Sequence, residues 1–104
     1  METMLVISNL PDGESAEALA QAAVEARLAA CVNVMAPCTS VYRWAGKLER
    51  ASEVPVFFKT TRARYAELEA LIRARHPYEL PEIVAVPIEK GLAAYLEWVA
   101  AETA

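Results

Sequence analysis

The chain has 104 residues, of which 56% are apolar, and its ten Lys and Arg against fourteen Asp and Glu give a net charge of −4. This length predicts a single domain, residues 1–104. The acidic balance argues against nucleic acid and acidic membrane surfaces as partners, because the sequence shows no local basic patch to override it. The apolar fraction exceeds the ~45 to 50% of typical soluble domains, which indicates extra burial between subunits.

The first residues and the cysteine count favour the cytoplasm. Residues 1–4 carry an acid where a secretory signal needs a base, and the apolar run that follows is too short for one. No run approaches the ~20 residues that cross a bilayer. The two cysteines, Cys31 and Cys38, form neither a CxxC pair nor a dense disulfide framework, so we expect reduced thiols in a cytoplasmic protein.

The first half of the chain predicts a buried strand, a helix and a long hairpin. Residues 4–8 are an almost continuous apolar run ended by a loop, which is typical of a central strand. Ser15 is placed to cap a helix that continues to about Leu28, and the mostly alanine face of this helix suits close packing on a sheet. From Cys31 to Thr60 the apolar residues follow the pattern of paired strands.

The stretch from Ser40 to Glu49 predicts the tip of this hairpin. Ala45-Gly46 reads as a two-residue turn, which sets the register of the two arms. Pro37 and Pro55 then lie diagonally across the hairpin, so both arms are expected to be interrupted at that level, by a bulge or by a strand break. Arms of about eight residues extend on the order of 25 Å, comparable to the diameter of the domain, so the tip should reach another subunit.

A second helix is predicted after the hairpin. Thr60 or Thr61 is expected to cap it, and Pro77 should end it near Arg75, because the residue before a proline is pushed out of the helical region. The residues expected on its inner face are Tyr65, Leu68, Leu71 and Ile72.

The chain then predicts one more strand and a last helix. Residues 83–86 read as another buried strand, closed by Pro87. The last amphipathic helix is expected from about Leu92 to Ala101, with Trp98 at the border of its apolar face. The residues expected to point inward from it are Leu92, Tyr95, Leu96 and Val99.

The order of the predicted elements is strand, helix, strand, strand, helix, strand. This is the ferredoxin-like arrangement, so the predicted fold class is α+β, a ferredoxin-like βαββαβ sandwich. It has an extended hairpin between its second and third strands and a C-terminal helix. The sequence contains no linker, low-complexity tract or short-period repeat.

Five short motifs follow one another along the chain. They are Arg27-Leu28-Ala29-Ala30-Cys31-Val32-Asn33, Tyr42-Arg43-Trp44-Ala45-Gly46-Lys47, Lys59-Thr60-Thr61, His76-Pro77-Tyr78-Glu79-Leu80-Pro81-Glu82-Ile83 and Tyr95-Leu96-Glu97-Trp98. In this order and spacing they resemble the motifs of the CutA divalent-cation tolerance proteins. The resemblance implies a ferredoxin-like homotrimer similar to the PII signalling proteins, located in the cytoplasm, with a role in tolerance to copper and other divalent metals.

The resemblance also implies a pocket between subunits. It places Trp44, Lys59, Tyr78, Glu82 and Trp98 around that pocket, with Arg43 and Tyr42 nearby. Such a set suits a small polar or anionic ligand, because aromatic walls exclude water, Lys59 supplies a charge, and Glu82 orients the ligand or pairs with the lysine. The two tryptophans fit equally well in a subunit interface that binds no ligand, and the Lys59 and Glu82 pair fits a structural role.

Cys31 and His76 are the candidate metal ligands. Thiolate and imidazole suit copper, zinc or another divalent cation. A tight site within one chain needs three or four ligands at recognisable spacing, which this sequence lacks, so a site would have to be completed across subunits. The structural alternatives are a small buried side chain for Cys31 and a position at a helix end for His76.

The favoured function is that of a trimeric binding protein that takes part in divalent-metal tolerance and is not an enzyme. The sequence contains no GxSxG, phosphate-loop or HExxH signature. The alternatives are an enzyme that uses Lys59, Glu82 and Tyr78 in the cleft, and a structural or signalling trimer that acts through a protein partner. An RNA-binding module is disfavoured by the acidic balance and by the lack of an RNP-like motif.

Overall fold

The computed structural model describes residues 2–104, which form a mixed α/β fold. The strands are β1 (Thr3–Leu10), β2 (Cys31–Val34), β3 (Cys38–Trp44), β4 (Lys47–Thr61) and β5 (Val84–Pro87), and the helices are α1 (Gly13–Glu25), α2 (Tyr65–Arg75), which a 3-10 turn (Arg62–Arg64) precedes, and α3 (Ala93–Glu102). Four strands pair in the antiparallel order β2-β4-β1-β5, and β3 pairs with the first half of β4. This order confirms the predicted ferredoxin-like fold, with β1 in a central position.

One face of the sheet carries the hydrophobic core. Side chains alternate along β1, so Val6 and Leu10 point to the same face and are buried there. Helices α1 and α2 cover this face, and the alanines of α1 allow the close packing that its sequence predicts. The core consists of Val6, Leu10, Ala16, Leu19, Ala23, Leu28, Ala29, Val54, Val56, Phe58, Leu68 and Ile72.

The opposite face of the sheet is only partly covered. Leu5 and Ile7 alternate onto it from β1, and the strands on either side add Phe57 from β4 and Val84 and Val86 from β5. We call these five residues the open sheet face. Val84 and Val86 each keep 47% of their surface exposed. The prediction of a buried last strand is therefore wrong for a single protomer, because the helices pack chiefly on β1, β2 and β4.

The hairpin is formed by β3 and the first half of β4, and it projects from the sheet. The protomer measures 45 Å along its longest axis and 25 and 23 Å along the other two. Ala45 and Gly46 form the predicted two-residue turn between Trp44 and Lys47. Their φ angles are 52° and 80°, and a type I′ turn requires positive φ at both positions.

The two arms of the hairpin differ at the level of the prolines. The first arm is interrupted between β2 and β3, where Met35–Pro37 lie opposite only Val54 and Pro55 of the second arm. The extra residue makes this interruption a bulge that separates the two strands. The second arm continues through Pro55, because pairing with Asn9 of β1 holds it in the sheet. The expected interruption is thus confirmed at Pro37 and wrong at Pro55.

The capping residues of the first two helices differ from the expected ones. Asp12 rather than Ser15 caps α1, since its carboxylate accepts a hydrogen bond of 2.7 Å from the backbone N–H of Ser15. The hydroxyl of Thr60 donates to the carbonyl of Leu28 at 2.7 Å instead of capping a helix. Thr61 precedes the 3-10 turn without a side-chain capping bond. The Asp12 cap is a contact within one helical turn, whereas the role of Thr60 depends on Leu28, which the fold brings close.

Helix α3 lies close to its predicted bounds but turns a different set of residues inward. Val99 is fully buried, whereas Leu92 and Tyr95, which were expected to point inward, are exposed in the protomer. Tyr95 and Trp98 form an aromatic pair whose ring centroids are 5.6 Å apart. Neither this apolar helix nor any other within residues 2–104 is long and apolar enough to span a membrane.

Candidate ligand-binding groove

A groove of about 550 Å³ runs between the hairpin and the loop that follows α2. Four of the seven residues expected around a cleft line it, namely Tyr42, Trp44, Tyr78 and Glu82. The rest of its wall is formed by Asn9, Ser40, Val41, Glu53, Glu79 and Leu80. Its volume lies within the ~300 to 1,000 Å³ range of small-molecule sites.

Alternation along the hairpin explains three of its groove-lining residues, and Val41, which also lines the groove, is the exception. Ser40, Tyr42 and Trp44 occupy every second position of β3, so they face the same side. The register of β3 and β4 puts Glu53 on that side as well, at the end of the hairpin that joins the sheet. Arg43 lies between the two aromatic residues and faces the opposite side. The hairpin therefore contributes aromatic walls and a carboxylate to the groove, but not the predicted arginine.

The loop that forms the other wall is held against β1 by His76 and Asn9. The Nε2 of His76 donates to the carbonyl oxygen of Asn9 at 2.7 Å, and its Nδ1 accepts from the backbone N–H of Tyr78 at 3.1 Å. The side-chain amide of Asn9 donates to Glu82 Oε1 at 3.0 Å. The imidazole also packs against the ring of Tyr78, with centroids 4.7 Å apart. These contacts place Tyr78 and Glu82 in the groove.

Replacing His76 with Ala is expected to lower the free energy of unfolding by about 1 to 3 kcal/mol. His76 is 8% exposed, and its loss leaves the Asn9 carbonyl and the Tyr78 N–H without their partner. The midpoint of chemical denaturation measures the change. His76→Gln, which keeps a donor and an acceptor, is the matched control and should recover part of the loss. An unchanged midpoint in His76→Ala would contradict this role.

Glu53 places a carboxylate at the buried end of the groove. Glu53 is 8% exposed and lies beside Tyr78. Burial raises the pKa of Tyr78 to about 12, and the hydrogen bond to Glu53 adds to this shift because a nearby carboxylate disfavours the tyrosinate. Asp12 acts on Tyr78 in the same direction. The interior of the groove therefore disfavours added negative charge.

Tyr78 should ionise later than an ordinary tyrosine. The ordinary pKa is 10.0 and that of Tyr78 is about 12. Because the unfolded chain loses this proton first, the contribution of Tyr78 to stability is complete below the ordinary pKa and is lost as the pH rises from there to about 12. Titration of tyrosinate absorbance checks the shift, since Tyr78→Phe should remove a late component. If Tyr78→Phe instead removed a component that titrates early, the raised pKa of Tyr78 would be contradicted.

Two more of the predicted cleft residues lie away from the groove. Lys59 alternates onto the side of the open sheet face, where its ammonium donates a hydrogen bond to Asn33 Oδ1. Trp98 packs on Tyr95, whose pKa is raised by burial and by the neighbouring Cys31. Cys31 pairs with Lys59 across β2 and β4. Within one protomer, the predicted set is thus divided between the groove and the surroundings of the open sheet face.

The two candidate metal ligands are also separated within the protomer. Cys31 is level with Leu5 of β1, whereas His76 bonds to Asn9, four residues further along that strand. At ~3.3 Å per residue this separation is on the order of 13 Å. In residues 2–104 no three His, Cys, Asp or Glu side chains converge to hold a metal ion. The residues of one protomer therefore do not fit a tight metal site.

Sequence reasoning missed Asn9, Glu53 and Glu79 as groove residues. Nothing in the spacing of Asn9 marks it, because its role depends on a distant loop that reaches β1. Glu53 left a signal that could have been used. A carboxylate directly before the apolar run of residues 54–58 is unusual for a strand that enters a core, since such charges are seldom buried without a purpose.

A family model described as CutA1 divalent ion tolerance protein matches residues 4–102, which is nearly the whole chain. The chain belongs to this family. The resemblance carried by the five motifs is thereby confirmed, and the motifs span the strands, the hairpin and the loop that build the groove.

Relatives and solved structures of the CutA1 family agree with this assignment. The divalent-cation tolerance protein CutA of Thermus thermophilus is 43% identical over 103 residues, which cover 99% of both chains. Protein CutA of Homo sapiens is 45% identical over 89 residues, which cover 86% of this chain but 50% of the human protein, so the chain spans about half the length of that relative. The crystal structure of CutA from Xylella fastidiosa matches with a TM-score of 0.97 at 38% identity, and the match covers 100% of each chain.

Proposed function

We propose that this CutA1-family protein is a homotrimer that takes part in tolerance to divalent cations such as copper. In this proposal it binds a small polar ligand or a divalent cation where subunits meet, and it catalyses no reaction. The names of the family and of the Thermus relative support the link to divalent cations. The two free cysteines fit a reducing cytoplasm, which we propose as its location.

The observation that carries the assembly is the open sheet face. Leu5, Ile7 and Phe57 are only partly buried there, and Val84 and Val86 are about half exposed. Apolar patches of this kind on a soluble protein mark interaction surfaces, because their exposure to water is unfavourable. A second copy of the chain packed on this face would bury it. The threefold stoichiometry rests on the family resemblance.

The hairpin supports the same proposal. Its exposed apolar residues include Val41, Tyr42, Trp44 and Leu48. Within residues 2–104, β3 pairs on one side only, with β4. A long unpaired edge with apolar side chains invites pairing with another strand, and a neighbouring subunit would cover it. The backbone of the hairpin would then serve assembly while its side chains line the groove.

The proposal divides the predicted cleft residues into two groups. Tyr42, Trp44, Tyr78 and Glu82 belong to the groove, which is the ligand site. Lys59 and Trp98 lie near the open sheet face, so we assign them to contacts between subunits. A metal ion, which one protomer does not fit, would have to take ligands from more than one subunit, and Cys31 lies on the side where those contacts form.

Light scattering at several protein concentrations tests the assembly. We expect the mass of three chains over the whole range. A stable, folded monomer in the same measurement would overturn the proposal, since neither the open sheet face nor the hairpin would then be covered.

Calorimetric titration with copper and zinc tests the metal ligands. We expect Cys31→Ser to weaken copper binding, because thiolate is the softest ligand on the side where subunits meet. His76→Ala should leave copper affinity unchanged, since both ring nitrogens already form hydrogen bonds. Cys38→Ser is the matched control, as Cys38 is exposed on the hairpin. Equal affinities in wild type and Cys31→Ser would exclude Cys31 as a ligand.

A further inference from the structure

We propose that the groove binds a small organic cation, such as an alkylammonium or quaternary ammonium compound, between its aromatic walls and its carboxylates. The inference rests on the proposed function only in taking the groove as the ligand site, and it names the chemical class of the ligand. It replaces the small polar or anionic ligand that the sequence suggested.

The negative charge of the groove is the first argument for a cationic ligand. Its lining contains three carboxylates, Glu53, Glu79 and Glu82, and no Lys, Arg or His among the described residues. The ion pairs found within residues 2–104 are Arg62 with Glu2 and Arg64 with Glu67, both away from the groove. Glu53 is therefore a nearly buried carboxylate that has no basic partner. A buried charge without a counter-charge is unfavourable, and a cationic ligand would supply one.

The aromatic side chains of the groove are the second argument for a cationic ligand. Tyr42, Trp44 and Tyr78 line the same groove, and all three keep a large part of their surface exposed. The face of an aromatic ring carries negative electrostatic potential, so several rings around one cavity attract a cation, and quaternary ammonium ligands are bound in this way. Aromatic rings alone would also accept a neutral apolar ligand. The carboxylates are what select for positive charge.

The size and ligand geometry of the groove distinguish an organic cation from a metal ion. A volume of about 550 Å³ holds a molecule of several heavy atoms. A divalent metal would need several converging ligand atoms. No group of three His, Cys, Asp or Glu side chains in residues 2–104 provides them. An anion finds no basic lining residue, because Lys59, the base expected there, lies six residues along β4 from Glu53 and donates to Asn33.

Three probes of one shape test the inference by calorimetry on the intact oligomer at physiological salt. The first is choline, and the second is its uncharged isostere, the alcohol in which carbon replaces the ammonium nitrogen. The third is tert-butylacetate (3,3-dimethylbutanoate), the anion of tert-butylacetic acid, which is similar in bulk but negatively charged. We expect choline to bind about tenfold or more tightly than the alcohol, and tert-butylacetate to bind more weakly than both.

Matched variants locate the site. Glu53→Gln and Tyr42→Leu should each reduce the preference for choline over the alcohol by about fivefold or more, the first by removing charge and the second by removing a π face. Glu82→Gln, at the more exposed side of the groove, serves the same purpose should Glu53→Gln fail to fold. Glu17→Gln, on the exposed side of α1, makes the same change in net charge far from the groove and should leave the preference unchanged.

The outcomes separate this inference from the proposed function. Equal binding of choline and the alcohol would overturn the cation proposal while keeping the groove as a ligand site. Tighter binding of tert-butylacetate than of choline would overturn the proposal in favour of an anionic ligand. If Glu17→Gln reduces the preference for choline as much as Glu53→Gln does, the preference comes from nonspecific charge attraction and the proposal is overturned. No binding of choline at millimolar concentration overturns it as well. The trimer is judged separately, by light scattering on the same samples.

Discussion

Replacing Val86 with Asp is expected to convert the proposed trimer into monomers. Val86 lies on the open sheet face next to Leu5 and keeps 47% of its surface exposed in the protomer. In an assembled trimer it would be buried, and a carboxylate buried without a partner costs on the order of several kcal/mol for each copy. In the separated protomer the same carboxylate points to water, so the fold should persist. Light scattering and circular dichroism measure the two effects separately.

A valine on another surface is the control for this experiment. Val24 on α1 is 43% exposed, close to the value for Val86, but it lies outside the open sheet face. Val24→Asp adds the same charge and should leave the trimer intact. An oligomer that persists in Val86→Asp at high dilution would show that subunits meet elsewhere. Dissociation in both variants would point to a general effect of added charge.

Replacing Trp44 with Ala is expected to weaken assembly by on the order of 2 kcal/mol or more, because large aromatic anchors dominate protein interfaces. That figure corresponds to about a thirtyfold increase in the dissociation constant. Trp44 is 47% exposed in the protomer and stands beside the hairpin turn, where a neighbouring subunit would contact it. Dilution experiments followed by light scattering provide the measurement.

The second face of the hairpin provides the comparison for Trp44. Leu48 pairs with Arg43 and therefore faces away from Trp44, and it is more exposed than the tryptophan. Leu48→Ala should affect assembly less than Trp44→Ala. If Trp44→Ala assembles as wild type does at high dilution, Trp44 serves only the groove. A larger loss in Leu48→Ala would mean that the opposite face of the hairpin contacts the neighbour.

Local sequence patterns were sufficient for the order of the elements. The apolar run of residues 4–8, the two-residue turn at Ala45 and Gly46, and the stop at Pro77 depend on neighbouring residues only, and each prediction is confirmed. Turn geometry follows from φ preferences, and the end of a helix before a proline follows from a local clash. The family membership rests on short motifs of the same local kind.

Predictions that depended on distant partners succeeded less often. Thr60 bonds to the carbonyl of Leu28 instead of capping a helix, and Pro55 stays in its strand because β1 pairs with it there. The inward face of α3 was wrong for Leu92 and Tyr95. Helical periodicity identifies an apolar face, but it does not state whether that face meets the domain's own core or another surface.

The hairpin shows the same division most clearly. From residues 40–49 alone the sequence determined its turn, its register and the aromatic character of its tip. Only the tertiary structure decided what those side chains face, since the loop pinned by His76 and Asn9 brings Tyr78 and Glu82 opposite Trp44. That juxtaposition joins residues more than thirty positions apart, and no local pattern encodes it. The same folding leaves Lys59 away from the groove, because it lies six residues along β4 from Glu53, a separation on the order of 20 Å on the same face of the sheet.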